Sequence, residues 1–211
     1  PAVFWNTVPD WPDVGYIQVT RFTDRAPEET RQALTELEAA GVSAIILDMR
    51  DNGGGLVDAA VEIASQFLDG GVVLYEQRVG REDEIVYNAS HSGLAHEIPL
   101  MVLVNGNSAS AAEIVAGALQ DRGRATVVGQ KTFGKGSVQL IFTLSDGSTL
   151  HVTNAEWFTP DRRRIQDVGL DPDVVVDSTT GTDPTLLAAL NALSEAYGFT
   201  SMSSAQAADN R

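Results

Sequence analysis

Apolar and polar positions along this chain follow two periods in turn. Gly15-Tyr-Ile-Gln-Val-Thr-Arg-Phe22 alternates every second residue and reads as a strand. Pro27, Glu28 and Glu29 then supply the fixed φ and the acidic first turn of a helix, which Gly41 ends. The stretches from Val42 to Asp48 and from Pro99 to Val104 are short and largely apolar, as in strands buried on both faces of a parallel sheet. Asn52-Gly-Gly-Gly55 is a loop, and Leu56, Ala60, Val61, Ala64 and Phe67 share one face of a second helix. A third helix is expected from about Ser110 to Leu119, and a strand over residues 125–128. Two hairpins complete the pattern: Val72 to Val86, turning near Gly80, and Val138 to Thr153, turning at Asp146-Gly147. Asp183 or Thr182 caps a last helix through Tyr197. Residues 1–13, with Phe4, Trp5 and Trp11 interrupted by Pro9 and Pro12, read as a connector or edge strand. Residues 14–197 read as one core domain, and residues 198–211, small and polar, as a disordered tail.

Strand–helix–strand order recurs three times, so the class is α/β with parallel crossovers. Sites in such sheets form in loops at the carboxyl ends of strands, where residues 52–55 and 105–110 both lie. The 211 residues, 43% of them apolar, are enough for one sizeable core. A net charge of −15 argues against nucleic acid or an anionic membrane as partner. No apolar run approaches the roughly 20 residues that cross a bilayer. The chain opens at Pro1, with neither Met nor a signal peptide, and reads as a fragment or a mature product. Without cysteine there are no disulfides or thiolate metal sites, and His91, His96 and His151 lack metal-ligand spacing. No metal or other cofactor is expected.

Two segments concentrate the chemistry. Asn105-Gly-Asn-Ser-Ala-Ser110-Ala-Ala-Glu113 puts small hydroxyl residues at the mouth of an apolar helix. Thr132-Phe-Gly-Lys135-Gly-Ser-Val-Gln139 holds Lys135, and Lys131 just before it is the only other lysine. Arginine stays charged, whereas lysine can lose its proton and act as a base. A serine near such a lysine is a nucleophile and base pair. Ser110 on its own reads as a helix cap, and Ser108 could equally be that cap. The strand, tight turn and helix around Ser110 favour a reactive role, because a helix N-terminus stabilises an alkoxide or an oxyanion. Lys135 lies between two glycines at the start of an apolar strand, and Lys135, Ser137 and Gln139 then project from one face. Gln139 could hydrogen-bond the amine and orient it, while Lys131 reads as exposed. The glycines at 53–55 are either a plain turn or a close, side-chain-free N–H donor. Asp121 reads as part of the turn after the serine helix, and no histidine suggests a Ser–His–Asp triad.

These segments resemble the nucleophile and lysine segments of the tail-specific, or carboxyl-terminal processing, serine peptidases. The separation of 25 residues between Ser110 and Lys135 matches that family's spacing. Gly15-Tyr-Ile, Leu47-Asp-Met-Arg-Asp-Asn-Gly-Gly-Gly-Leu56 and Gly169-Leu-Asp-Pro-Asp173 fit its other marks, and the likeness covers residues 14–177. The resemblance implies a Clp-protease/crotonase-like fold of repeated ββα units with added hairpins. It implies Ser110 as nucleophile, Lys135 as general base and Gln139 as the residue that positions the lysine. The N–H groups of Ala111 and of a glycine in the 53–55 turn, most readily Gly54, would form the oxyanion hole. Substrates would be unfolded or C-terminally tagged polypeptides, in an exported compartment (periplasm, envelope or extracellular). The family commonly carries a PDZ domain before the Gly15 strand, absent from this stretch, and often has proline where Gly53 stands. A homo-oligomer is left open. The rival readings are a crotonase-like acyl-CoA enzyme and a catalytically idle binding module of the same fold.

Overall fold

The apolar strands expected over residues 42–48 and 99–104 form the centre of a six-stranded sheet, over Ala44–Asp48 and Leu100–Val104. A computed structural model describes residues 1–202 except Glu82, Ser92 and residues 178–181; for Leu140, Ile141 and His151 it describes the backbone alone. Of the tail expected to be disordered, residues 203–211 lie outside the described residues. The chain opens with the hairpin β1 (Val3–Val8) and β2 (Trp11–Val19), then α1 (Ala26–Ala39), β3 (Ala44–Asp48) and α2 (Val57–Phe67). A second hairpin, β4 (Val72–Arg78) and β5 (Glu84–Asn88), precedes β6 (Leu100–Val104), α3 (Ala111–Asp121) and β7 (Thr126–Gly129). The hairpin β8 (Ser137–Thr143) and β9 (Thr149–Phe158), the short β10 (Val174–Val175) and α4 (Pro184–Tyr197) complete it.

The large sheet runs β1-β2-β3-β6-β7-β10, antiparallel only at its β1–β2 edge. Side chains alternate across it, so each central strand contributes to two cores. Ile45, Leu47 and Val102 pack on the side of α1, α2 and α3, while Ala44, Ile46 and Leu103 pack with Leu190 and Leu193 of α4. The smaller sheet, β5-β4-β9-β8, is antiparallel throughout and leaves β8 as an edge strand.

Several boundaries differ from those expected. β2 starts at Trp11 because its register with β1 shifts between Thr7, paired with Gly15, and Val8, paired with Trp11, so the ladder skips Pro12, which has no N–H to offer it. It stops at Val19, and Phe22 forms only a lone bridge to Gly55. Asp183, not Thr182, caps α4, accepting the Leu186 N–H at 3.0 Å.

That cap is tied to the centre of the sheet. Arg50 donates to both carboxylate oxygens of Asp48 and to both of Asp183, at 2.6–3.0 Å. The Tyr16 hydroxyl adds a 2.5 Å bond to Asp48 Oδ2. Burial and the Asp48 carboxylate hold the Tyr16 hydroxyl protonated, well above its ordinary range. Arg50 keeps its charge because its two carboxylate partners outweigh the burial that opposes it. Burial likewise works against ionised Asp183, but Arg50 and the Leu186 N–H outweigh it and hold the carboxyl below the ordinary 3.8. A carboxyl depressed in the folded state stabilises the fold above its unfolded pKa and loses that contribution as pH falls through the folded value. Asp183→Asn keeps the cap and removes the charge. It is expected to cost about 1 kcal/mol at pH 7, and the gap from wild type should close below pH 3.8, as read by urea denaturation.

Candidate active site

Loops at the carboxyl ends of β2, β3, β6 and β7 converge at one edge of the large sheet. Asn52 is the fully buried joint between the first three. Its amide donates to the Val19 carbonyl at 2.7 Å, its side-chain oxygen accepts the Gly54 N–H at 2.9 Å, and its carbonyl accepts the Ala109 N–H at 2.9 Å. A second lash lies nearer solvent. Asp51 Oδ1 accepts the amides of Asn105 and Asn107 at 3.0 and 2.8 Å, and these bonds, led by Asn107, depress its pKa.

Ser108 and Ser110 separate cleanly in this frame. Ser108 is fully buried, and its hydroxyl donates to the Met49 carbonyl at 2.7 Å and accepts the Asn105 N–H at 3.0 Å. It is a clasp between loops. Ser110 is the N-cap residue of α3, at φ 55° and ψ −115°. A side chain at such a backbone costs of order 1–3 kcal/mol, so its surroundings must hold it there. Two bonds do so: the Ser110 N–H donates to Glu113 Oε2 at 2.9 Å, and its carbonyl accepts the Ile114 N–H at 3.0 Å. The turn also leaves the Ala111 N–H, first of the helix, with no acceptor among the described residues.

Glu113 does more than close the turn. Its carboxylate is fully buried and takes two donors on each oxygen. Oε1 accepts the Thr132 hydroxyl at 2.5 Å and the Gly134 N–H at 2.7 Å; Oε2 accepts the N–H groups of Ser110 and Lys135 at 2.9 and 2.8 Å. One carboxylate therefore sets the distance between the serine turn and the lysine segment. Sequence reasoning passed over Glu113, although its place three residues after Ser110 is the capping-box spacing. It also passed over Asn52 and Asp51, for which no local signal exists.

Lys135 is held only through its backbone. Its side chain is exposed, and Nζ has no hydrogen-bond or carboxylate partner among the described residues, so neither Ser110 nor Gln139 bonds it. Lys131 is exposed as expected and pairs with Asp171 at 3.1 Å. The groove itself brings the expected residues together. Ser110, Lys135 and Gly55 line both of two adjoining cavities, about 250 and 530 Å3. Ser137, Gln139, Val57, Val138 and Trp157 wall the smaller one, while Thr20, Arg21 and Asp51 wall the larger.

The glycine loop meets Ser110 in a particular way. Gly54 is pressed against it, and the Gly54 N–H is already bonded to Asn52. The Gly55 N–H has no acceptor among the described residues. His91 and His96 bond Asp69 and the Gly93 carbonyl and line neither cavity. Asp121 accepts the Asp161 N–H at the far end of α3. A hydroxyl at a helix mouth, an amine and uncommitted N–H groups around one groove are the equipment of acyl transfer.

Three substitutions test this frame. A Cβ at Gly54 would lie 2.8 Å from Ser110 Cβ and 2.9 Å from the Ala109 carbonyl oxygen, at φ +99°, whereas one at Gly53 meets open space. Gly54→Ala is expected to cost about 2 kcal/mol or more, and Gly53→Ala to stay within about 0.5 kcal/mol, in chemical denaturation. In Glu113→Gln the amide nitrogen would face two donors whichever way it turns. A loss of about 2–4 kcal/mol is expected in the same measurement.

Comparison with known proteins bears on the chain as a whole. The family model of Peptidase family S41 matches residues 13–176. The carboxyl-terminal-processing protease of Synechocystis sp. is 45% identical over 165 residues, covering 78% of this chain and 38% of that protein. Carboxyl-terminal-processing peptidase 3, chloroplastic, of Arabidopsis thaliana is 42% identical over 200 residues, covering 89% and 36%. Among solved structures, the photosystem II D1 C-terminal processing protease superposes with a TM-score of 0.77 at 33% identity, over 94% of this chain and 53% of its own. The chain thus spans between about a third and a half of these relatives. The match over most of its length and the shared α/β architecture give one conclusion: the chain belongs to peptidase family S41.

Proposed function

We propose that this chain is the catalytic unit of a serine endopeptidase that processes the carboxyl-terminal regions of polypeptides through an acyl-enzyme on Ser110. One observation carries the reading: Ser110, at a strained turn on a helix mouth, shares both cavities of the groove with Lys135. The neutral Lys135 amine takes the Ser110 hydroxyl proton as Oγ attacks the scissile carbonyl carbon. The resulting oxyanion accepts the Ala111 N–H, strengthened by the α3 dipole. The second donor comes from the glycine loop. There the Gly55 N–H is uncommitted, whereas Gly54 would first have to release Asn52. The lysine ammonium then gives its proton to the leaving amine. In the second half, the Lys135 amine deprotonates the water that attacks the ester and passes that proton to Ser110 Oγ as the ester bond breaks. Gln139, on the wall of the smaller cavity, positions the amine during these transfers.

Lys135 must swing toward Ser110 to begin. Its side-chain nitrogen has no partner among the described residues to surrender, so the swing itself costs mainly side-chain entropy, at most about 2 kcal/mol, and the amine acts as base once it has released its proton to solvent. Seating a substrate in the groove also excludes water, and catalytic hydrogen bonds commonly tighten only then.

Ser110→Ala and Lys135→Ala should each lower cleavage of casein or a tailed peptide by about 10^3-fold or more, with circular dichroism unchanged. A fluorophosphonate should add to Ser110 and leave Ser108 unmodified, as read by peptide mass spectrometry. Full cleavage by either alanine variant would exclude the dyad. Turnover of an acyl-CoA without phosphonate labelling would favour the crotonase-like alternative.

A further inference from the structure

The two halves of the groove differ in character. Val57, Val138 and Trp157 make one wall partly apolar, whereas Thr20, Arg21 and Asp51 make the other polar. Arg21 stands out on that wall. The guanidinium groups of Arg31, Arg50, Arg78, Arg162, Arg163 and Arg164 all lie against carboxylates. The Arg21 guanidinium is exposed and, like those of Arg25, Arg81 and Arg122, has no carboxylate or hydrogen-bond partner among the described residues, in a chain that carries 29 acidic residues and a net charge of −15. Of these four, Arg21 lines the groove. Asp51, the carboxylate on the same wall, is engaged instead by the amides of Asn105 and Asn107.

The backbone beneath Arg21 is set. The Phe22 N–H donates to the Gly54 carbonyl at 3.1 Å, and the Phe22 carbonyl accepts the Leu56 N–H at 2.8 Å. Phe22 is 1% exposed, so its ring is locked into the core, and its neighbour in an extended segment faces the opposite way. Arg21 therefore reaches the groove from a segment already pinned to the glycine loop beside Ser110. Little order has to be created when a ligand arrives.

We propose that Arg21 is a specificity residue whose guanidinium receives a substrate carboxylate close to the scissile bond. This rests on the endopeptidase reading. The larger cavity holds about 530 Å3, or roughly 10 Å across, room for two to three extended residues at ~3.3 Å each. A carboxylate paired with Arg21 thus lies within about two residues of the carbonyl attacked by Ser110. A planar guanidinium with free N–H groups takes a carboxylate in a two-pronged bond, which an amide of the same shape cannot reproduce. The carboxylate is either an acidic side chain or the free C-terminus of the substrate, and the test separates them.

Short labelled peptides built on one cleaved sequence would carry Glu or Gln at each position within two residues of the cut, each with a free or an amidated C-terminus. The readout is the ratio of kcat/KM within each pair, which cancels any general loss in a variant. Wild type is expected to favour a carboxylate member by about tenfold or more. Arg21→Ala should bring that ratio within twofold, Arg21→Lys should keep part of it, and Arg21→Glu should invert it. A ratio that moves in the Glu/Gln pairs assigns an acidic side chain; one that moves in the acid/amide pairs assigns the C-terminus. Equal ratios in wild type and Arg21→Ala overturn the proposal and leave the endopeptidase standing. If wild type cleaves nothing, the endopeptidase reading fails by itself, and fluorescence anisotropy of the same peptides decides for Arg21. Tighter binding of the carboxylate member that Arg21→Ala abolishes supports the role, and its absence ends it.

Discussion

A carboxylate buried without a counter-ion is held in place by its hydrogen bonds, and Glu113 has four. Two come from the lysine segment's backbone, one from Thr132 and one from the serine turn itself. None can be lost without leaving a donor or an oxygen unsatisfied in a fully buried site. The serine turn and the lysine segment are 25 residues apart in sequence, with β7 between them. They are nevertheless fastened together, because one side chain accepts hydrogen bonds from both. Thr132 extends the clamp by accepting the Leu170 N–H at 2.7 Å, which fastens the 165–170 loop to the same anchor.

The strain at Ser110 makes sense against this anchor. A residue at φ 55° tends to relax into the helix behind it or the loop before it. Glu113 holds its N–H on one side, and Gly54 blocks its Cβ on the other. The outcome is a hydroxyl standing clear of a helix whose first N–H is uncommitted. Beside that set turn, Lys135 has a fixed backbone and an exposed side chain without a partner among the described residues.

Much of the fold was legible in local patterns. The apolar runs at β3 and β6 and the acid-rich start of α1 report on immediate neighbours, and the structure keeps them. Ser110, Lys135 and Gln139 were legible as candidates because a cap-like serine at a strand–helix turn and a lysine among glycines are unusual locally. Which N–H of the glycine loop is left uncommitted was not. Three glycines in a row carry no mark of which N–H is engaged, and the bond from Gly54 to Asn52 depends on how β2 and the 105–110 loop pack around Asn52. Arg21 was equally silent: along the sequence it is one polar position near the end of an alternating strand.

By itself, then, the sequence determined an α/β chain with parallel crossovers, a serine at a helix mouth and one lysine set apart from the other. These follow from short-range periodicity, turn chemistry and residue type. Tertiary structure decided which serine is a clasp and which faces the groove, which carboxylate binds two distant segments together, and which cations of the groove are left without partners. Those outcomes rest on hydrogen bonds between residues as far apart as Asn52 and Ala109, or Arg50 and Asp183. A buried donor or acceptor takes its partner from whatever folding brings within 3 Å, and nothing in the local sequence records that choice.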